Sequence, residues 1–245
     1  MFNIFKSTEK KLEEAILKLE TDLRNNDLRF LVEVMASDEI YSPLLHQRRQ
    51  TEISSKDYIS WYGYRRAEKL ESENDKQTLL SFLDDNKLQS KKRHVYFALA
   101  HLCKNRTDDQ LFNFLMNRLE EEKDPDFKIA ILIGIESMDK TASSINIEPI
   151  KTLAKGRSRE LKIKAICALQ KTNDTDVEPL LLKIFEGTKD SHIKNMICTP
   201  LETVGSEKSI PVLNKAYKNT RDYILRDGIE RTLEEIDKRH STTKN

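Results

Sequence analysis

The sequence predicts an all-α protein, a right-handed α-solenoid of stacked helix pairs closed at its N-terminal end by an irregular helical cap. Three observations predict it. The 245 residues include only six glycines and six prolines, fewer turn formers than an all-β sandwich or a glycine-rich nucleotide fold needs. Charged residues are 34% and apolar residues 38%, a low apolar share for a ball of this length that fits an elongated molecule with much surface. From residue 76 onward, short leucine-rich stretches alternate with longer helical stretches that repeat one pattern at a nearly constant period.

The leucine-rich stretches run from Thr78 to Leu83, Leu111 to Met116, Ile147 to Leu153, Val177 to Leu182 and Ile210 to Leu213. In the last three, Pro149, Pro179 and Pro211 sit where a first helical turn tolerates proline. A polar turn follows each, then a second helix whose first inward position we call v. Position v+1 is basic in all five copies, Lys92, Lys128, Lys162, Lys194 and Arg226, at intervals of 36, 34, 32 and 32 residues. Position v+4 is Val95, Ile131, Ala165, Ile197 and Ile229, and v+8 is Leu99, Ile135, Leu169, Leu201 and Leu233. At 100° per residue these positions form one stripe. A single pair cannot cover such a stripe, but stacked pairs can. Five unrelated amphipathic hairpins would explain the stripes but not the shared register of the basic column.

This pattern resembles HEAT repeats. The resemblance covers residues 76–237 and is clearest at Asp124-Pro125-Asp126-Phe127-Lys128, with looser matches at Lys189 to Lys194 and Asp222 to Arg226. It implies helix-turn-helix units stacked into a curved α-solenoid. Pro200 departs from it, occupying v+7 where Ala98 and Ala168 stand in other copies, and is expected to kink or shorten its helix.

Residues 1–75 fit the repeat badly and are read as the cap. Ser7 or Thr8 starts a helix to Asn25 with Leu12, Ala15, Ile16, Leu19 and Leu23 on one face. A second helix runs from Asp27 to Ala36, an irregular stretch from Ser37 to Ser55 contains Pro43, and a helix from Lys56 to Leu70 carries Trp61, Tyr62 and Tyr64. Residues 238–245 are expected to be a flexible polar tail.

Chemistry is sparse. Phosphate-loop, dinucleotide, nucleophile-elbow and HExxH motifs are absent from the sequence, and no catalytic set, cofactor or metal is predicted. His94 and His101 lie two turns apart on one helix and read as surface residues. The HEAT-like di-iron enzymes use His-Glu pairs, and this sequence has no such dipeptide. Nothing singles out the phycobilin-lyase activity of other HEAT-like proteins. The three cysteines, Cys103, Cys167 and Cys198, lie in apolar stretches and read as small hydrophobes. With no apolar run long enough for a secretory signal or a membrane span, a cytoplasmic protein without a membrane partner is expected.

Two functions remain open. Positions v+2, v+6 and v+9 lie opposite the buried stripe, on what the resemblance implies is the concave surface. Six of nine are apolar in the first three copies and none of six in the last two. Phe97, Ile129, Ile133 and Ile163, rimmed by Arg93 and Lys104, are therefore candidates to bind another protein, as in a scaffold, adaptor or inhibitor of immunity-protein type. The competing account is that curvature or the cap buries these side chains. The alternative function is nucleic-acid binding, with or without the chemistry of HEAT-like DNA glycosylases, suggested by Trp61, Tyr62 and Tyr64 beside Arg65 and Arg66 and by the basic run from Lys91 to Lys104. A net charge of +1 and Glu120-Glu121-Glu122 work against it.

Overall fold

In a computed structural model, residues 8–40, 53–142 and 144–242 are described. Ser7, Pro43, His46 and the last three residues of the expected tail lie outside them. Among the described residues the regular secondary structure is helical, with two isolated β-bridges, Ile40 to Tyr58 and Lys140 to Thr172, and no longer ladder. By internal contacts the chain divides into two units, Met1–Asn105 and Arg106–Asn245.

The first unit holds α1 (Thr8–Asn25), α2 (Leu28–Met35), α3 (Ile59–Ala67), α4 (Glu73–Phe82) and most of α5 (Lys92–Arg106). Asp27 caps α2 by accepting from Phe30 N at 2.9 Å, and Ser72 caps α4 by accepting from Asp75 N at 3.0 Å. Such caps supply an acceptor to amides that have none inside the helix. α2 packs against α3 and α4, and α1 packs against α3. The expected face of α1 turns inward, with Leu23 buried and Leu12, Ala15, Ile16 and Leu19 half-buried.

The pair α4–α5, with which the repeat pattern begins, lies in the first unit with the N-terminal helices. Specific ties account for this. Arg29 pairs with Asp85, and Lys91 with Glu33. The Asn105 amide donates to Glu68 O at 2.8 Å and Leu70 O at 2.9 Å.

The second unit is an α-solenoid of four helix pairs. They are α6 (Asp109–Glu121) with α7 (Pro125–Ile135), α8 (Glu148–Lys155) with α9 (Arg159–Ala168), α10 (Val177–Gly187) with α11 (Ser191–Val204), and α12 (Ser209–Asn219) with α13 (Tyr223–Thr242). First helices α6, α8, α10 and α12 pack in sequence as one layer, and second helices α7, α9, α11 and α13 as another. The v+4 column is the seam: Val95, Ile131, Ala165, Ile197 and Ile229 are all fully buried, each in its own unit. Each buried Val or Ile contributes roughly 1.5–3 kcal/mol relative to exposure. In the last copy Leu233 at v+8 is only half-buried, and Thr232 and Ile236 fill the seam instead.

The Asp of the turn caps the second helix. Asp124 accepts from Asp126 N at 2.8 Å, Asp190 from His192 N at 2.9 Å, and Asp222 from Ile224 N at 3.0 Å. Arg159 Nε reaches Asp190 at 2.8 Å and joins one second helix to the next. At the opposite ends, Lys140 N donates to Lys171 O at 2.8 Å and Lys171 N to Thr203 Oγ1 at 3.0 Å. Lys171 holds a left-handed backbone, φ 55°, that turns its amide and carbonyl to different neighbours. Arg239 donates to Thr203 O at 3.0 Å and Gly205 O at 2.7 Å.

Two expectations change. α11 runs through buried Pro200 to Val204 without being shortened. α13 continues to Thr242, so the chain stays helical past Lys238, where a frayed tail was expected; Arg239 anchors that stretch.

Candidate interaction surfaces

The second-helix face of the second unit carries the predicted strip. Consecutive packing of α7 and α9 brings equivalent positions onto one face, and there Ile129, Ile133 and Ile163 are each half-buried. Beside them Cys167 is 8% exposed, and burial, helped by Glu136, pushes its thiol up to about 11. Further along, the face turns polar: Arg231 Nε pairs with Glu202 at 2.8 Å, and Asp227 and Glu234 are exposed.

The remaining predicted residues lie in the first unit. Arg93 is exposed and Lys104 half-buried, but Phe97 is 8% exposed. Its ring meets Tyr64 of α3 edge-on at 4.8 Å and His101 at 4.3 Å. The account in which the N-terminal helices cover this position is therefore the one observed at Phe97. From His94 to Cys103, α5 is buried on every side, so it has no free face of the kind the repeat pattern implies.

The histidines are corrected with it. His94 and His101 are core residues, not surface ones. Tyr64 Oη lies 2.9 Å from His94 Nδ1. Burial, then the positive charges of Arg93 and Lys91, lowers the His94 pKa to about 4; burial, then Lys104 and Arg65, lowers that of His101 to about 4. Both imidazoles are neutral at pH 7. Tyr64 is thereby committed to the core, whereas Trp61 and Tyr62 line a cleft between α1 and α3 with Arg24, Arg65, Arg66 and Lys69.

In the last two pairs the basic column has a packing role. Lys194 Nζ lies 5.2 Å from the Phe185 ring centroid, and the Arg226 guanidinium 4.7 Å from that of Tyr217. In each case the cation of a second helix covers an aromatic ring of its own first helix, a contact worth about 0.5–1 kcal/mol at exposed sites. The aromatic partners Phe185 and Tyr217 were the available signal, and they fall outside the second-helix register.

Among the described residues no group of three or more His, Cys, Asp or Glu is arranged to hold a metal ion, and no helix is long and apolar enough to cross a membrane. The three cysteines are free and buried.

Residues 147–234, the last three helix pairs, match the family model for HEAT repeats. These pairs are HEAT repeats. The buried v+4 seam runs through all three pairs, and the Asp-capped turn and the cation over the first-helix ring are features of the last two. A search of curated proteins finds no match. Among solved structures, a designed armadillo repeat protein in complex with the peptide (KR)4 is similar at 13% identity and a TM-score of 0.49, covering 86% of this chain and 100% of that one.

Proposed function

We propose that this HEAT protein is a non-catalytic protein–protein interaction module, a scaffold, adaptor or immunity-type inhibitor, that holds its partner on the second-helix face of residues 106–245. The observation that carries the reading is the partial exposure of Ile129, Ile133 and Ile163 on adjacent helices, opposite a fully buried seam. Clustered apolar side chains on a solvent face mark contact sites. Glu136, Asp227 and Glu234 on the same face, with Glu202 neutralised by Arg231, make it unsuited to a phosphate backbone. The reading includes a cytoplasmic location, in keeping with three buried, free thiols. It needs only the second unit; Arg93, Phe97 and Lys104 belong to the other.

The test is co-purification from native cells with quantitative mass spectrometry, using Ile133→Asp and Ile163→Asp. Both substitutions place a carboxylate on half-exposed positions, so far-UV circular dichroism should be unchanged. The partner should fall at least tenfold in both variants. A partner retained at wild-type level by two well-folded variants would reject the face.

A further inference from the structure

A cleft of about 510 Å³ opens between α1 and α3 in the N-terminal unit, within the size range of small-ligand sites. Trp61 and Tyr62 form its aromatic wall, their rings edge to face at 4.9 Å. Arg24, Arg65, Arg66 and Lys69 line it too, and Glu20 is the one carboxylate among its lining residues. With Arg65 paired to Glu68, three cations against Glu20 still leave the cleft a net positive lining in a chain whose net charge is only +1. The Arg65 guanidinium lies over the Trp61 indole at 5.6 Å from the ring centroid, with Glu68 as its ion-pair partner.

We propose that this cleft binds single-stranded nucleic acid by one or two nucleotides. A base needs a flat π-surface, and aromatic rings and guanidinium planes both supply one. The indole–guanidinium pair offers such a platform, and Arg24, Arg66 and Lys69 supply charge for the flanking phosphates. A duplex keeps its bases stacked on each other and has no ring to give. An acidic peptide matches the charge but leaves the aromatic wall without a partner. None of these residues lies on the proposed protein-binding face, so the two readings stand or fall separately.

The chain's single tryptophan sits in the cleft and reports on it directly. Titration with an eight-residue deoxythymidine oligomer should quench Trp61 fluorescence saturably. The affinity should fall with salt at a log–log slope of about −1.5 to −2, from −0.7 per neutralised phosphate for the two or three phosphates flanking one or two nucleotides. Arg66→Ala with Lys69→Ala should weaken binding tenfold or more with unchanged circular dichroism. Trp61→Leu, followed by anisotropy of a labelled oligomer, should weaken it at least fivefold. Thymidine monophosphate should bind far more weakly than the oligomer. Octaglutamate, duplex or the mononucleotide binding as tightly as the oligomer would overturn the proposal, as would wild-type affinity in the double variant.

Discussion

Lys140 lies in the loop after α7, and its side chain is almost fully enclosed, 2% exposed. Its ammonium donates to Met138 O at 2.6 Å, Ile135 O at 3.2 Å and Glu136 O at 3.3 Å. Those carbonyls close the C-terminal end of a helix, where the macrodipole favours a cation and the last acceptors lack amide partners. Lys140→Met keeps the stem and removes the donor, leaving buried carbonyls unmet. It should cost about 2–3 kcal/mol in urea unfolding, with the denaturant slope unchanged. A lysine in a polar loop reads as solvated, so this role was not legible in the sequence. The same holds for His94 and His101: Tyr64 of α3, remote in sequence, reaches His94 and the Phe97 ring that lies against His101. The v+4 residues were legible because their burial follows from the period of their own helix.

Elements as a class were better foretold than the joints between them. The ten helices of the five pairs fall where the alternation of stretches put them, because Asp or Ser caps and the 3.6-residue period are local signals. α5 is the exception in environment: a helix read as amphipathic is covered all round, since sequence pattern does not reveal what packs on its second face. The joint after α11 depends on Gly205. A Cβ there would stand 2.6 Å from Leu201 O, 3.1 Å from Ile236 Cδ1 and 3.3 Å from Ser209 Oγ, at the point where Arg239 draws the carbonyls together. Glu178 fixes the same joint by accepting from Ser206 N at 2.7 Å and Ser209 Oγ at 2.6 Å. Gly205→Ala should therefore destabilise by about 2 kcal/mol through overpacking. Gly187→Ala is the control, since nothing lies within 4 Å of the added carbon; it should be neutral or stabilise by up to about 1 kcal/mol. Chemical denaturation of both variants separates tight packing from a general intolerance of added volume.

At the scale of the molecule, two units and a helix array that touches mainly its neighbours do not require all-or-none unfolding. The first unit alone contains both His94 and His101 and also the single tryptophan, whereas far-UV circular dichroism sums helices from the whole chain. Each buried imidazole has a folded pKa near 4 against about 6.5 in an unfolded chain. Between those values the unfolded chain takes up protons that the folded one refuses. Stability from the neutral imidazoles is thus complete above about pH 6.5 and is lost as the pH falls towards 4. The carboxylates with lowered pKa values, such as Glu178 and Asp190, stay ionised at pH 5, so the stability they contribute is kept there and is lost only at lower pH. Moving from pH 7 to pH 5 therefore isolates the histidines, with an effect on the order of 2 kcal/mol from each imidazole. The midpoint of the Trp61 fluorescence melt should drop by about 10 °C or more, and the main circular dichroism transition by clearly less. His94→Gln with His101→Gln should remove that difference in pH response. Coincident shifts of both probes in the wild type would mean that the two units unfold as one.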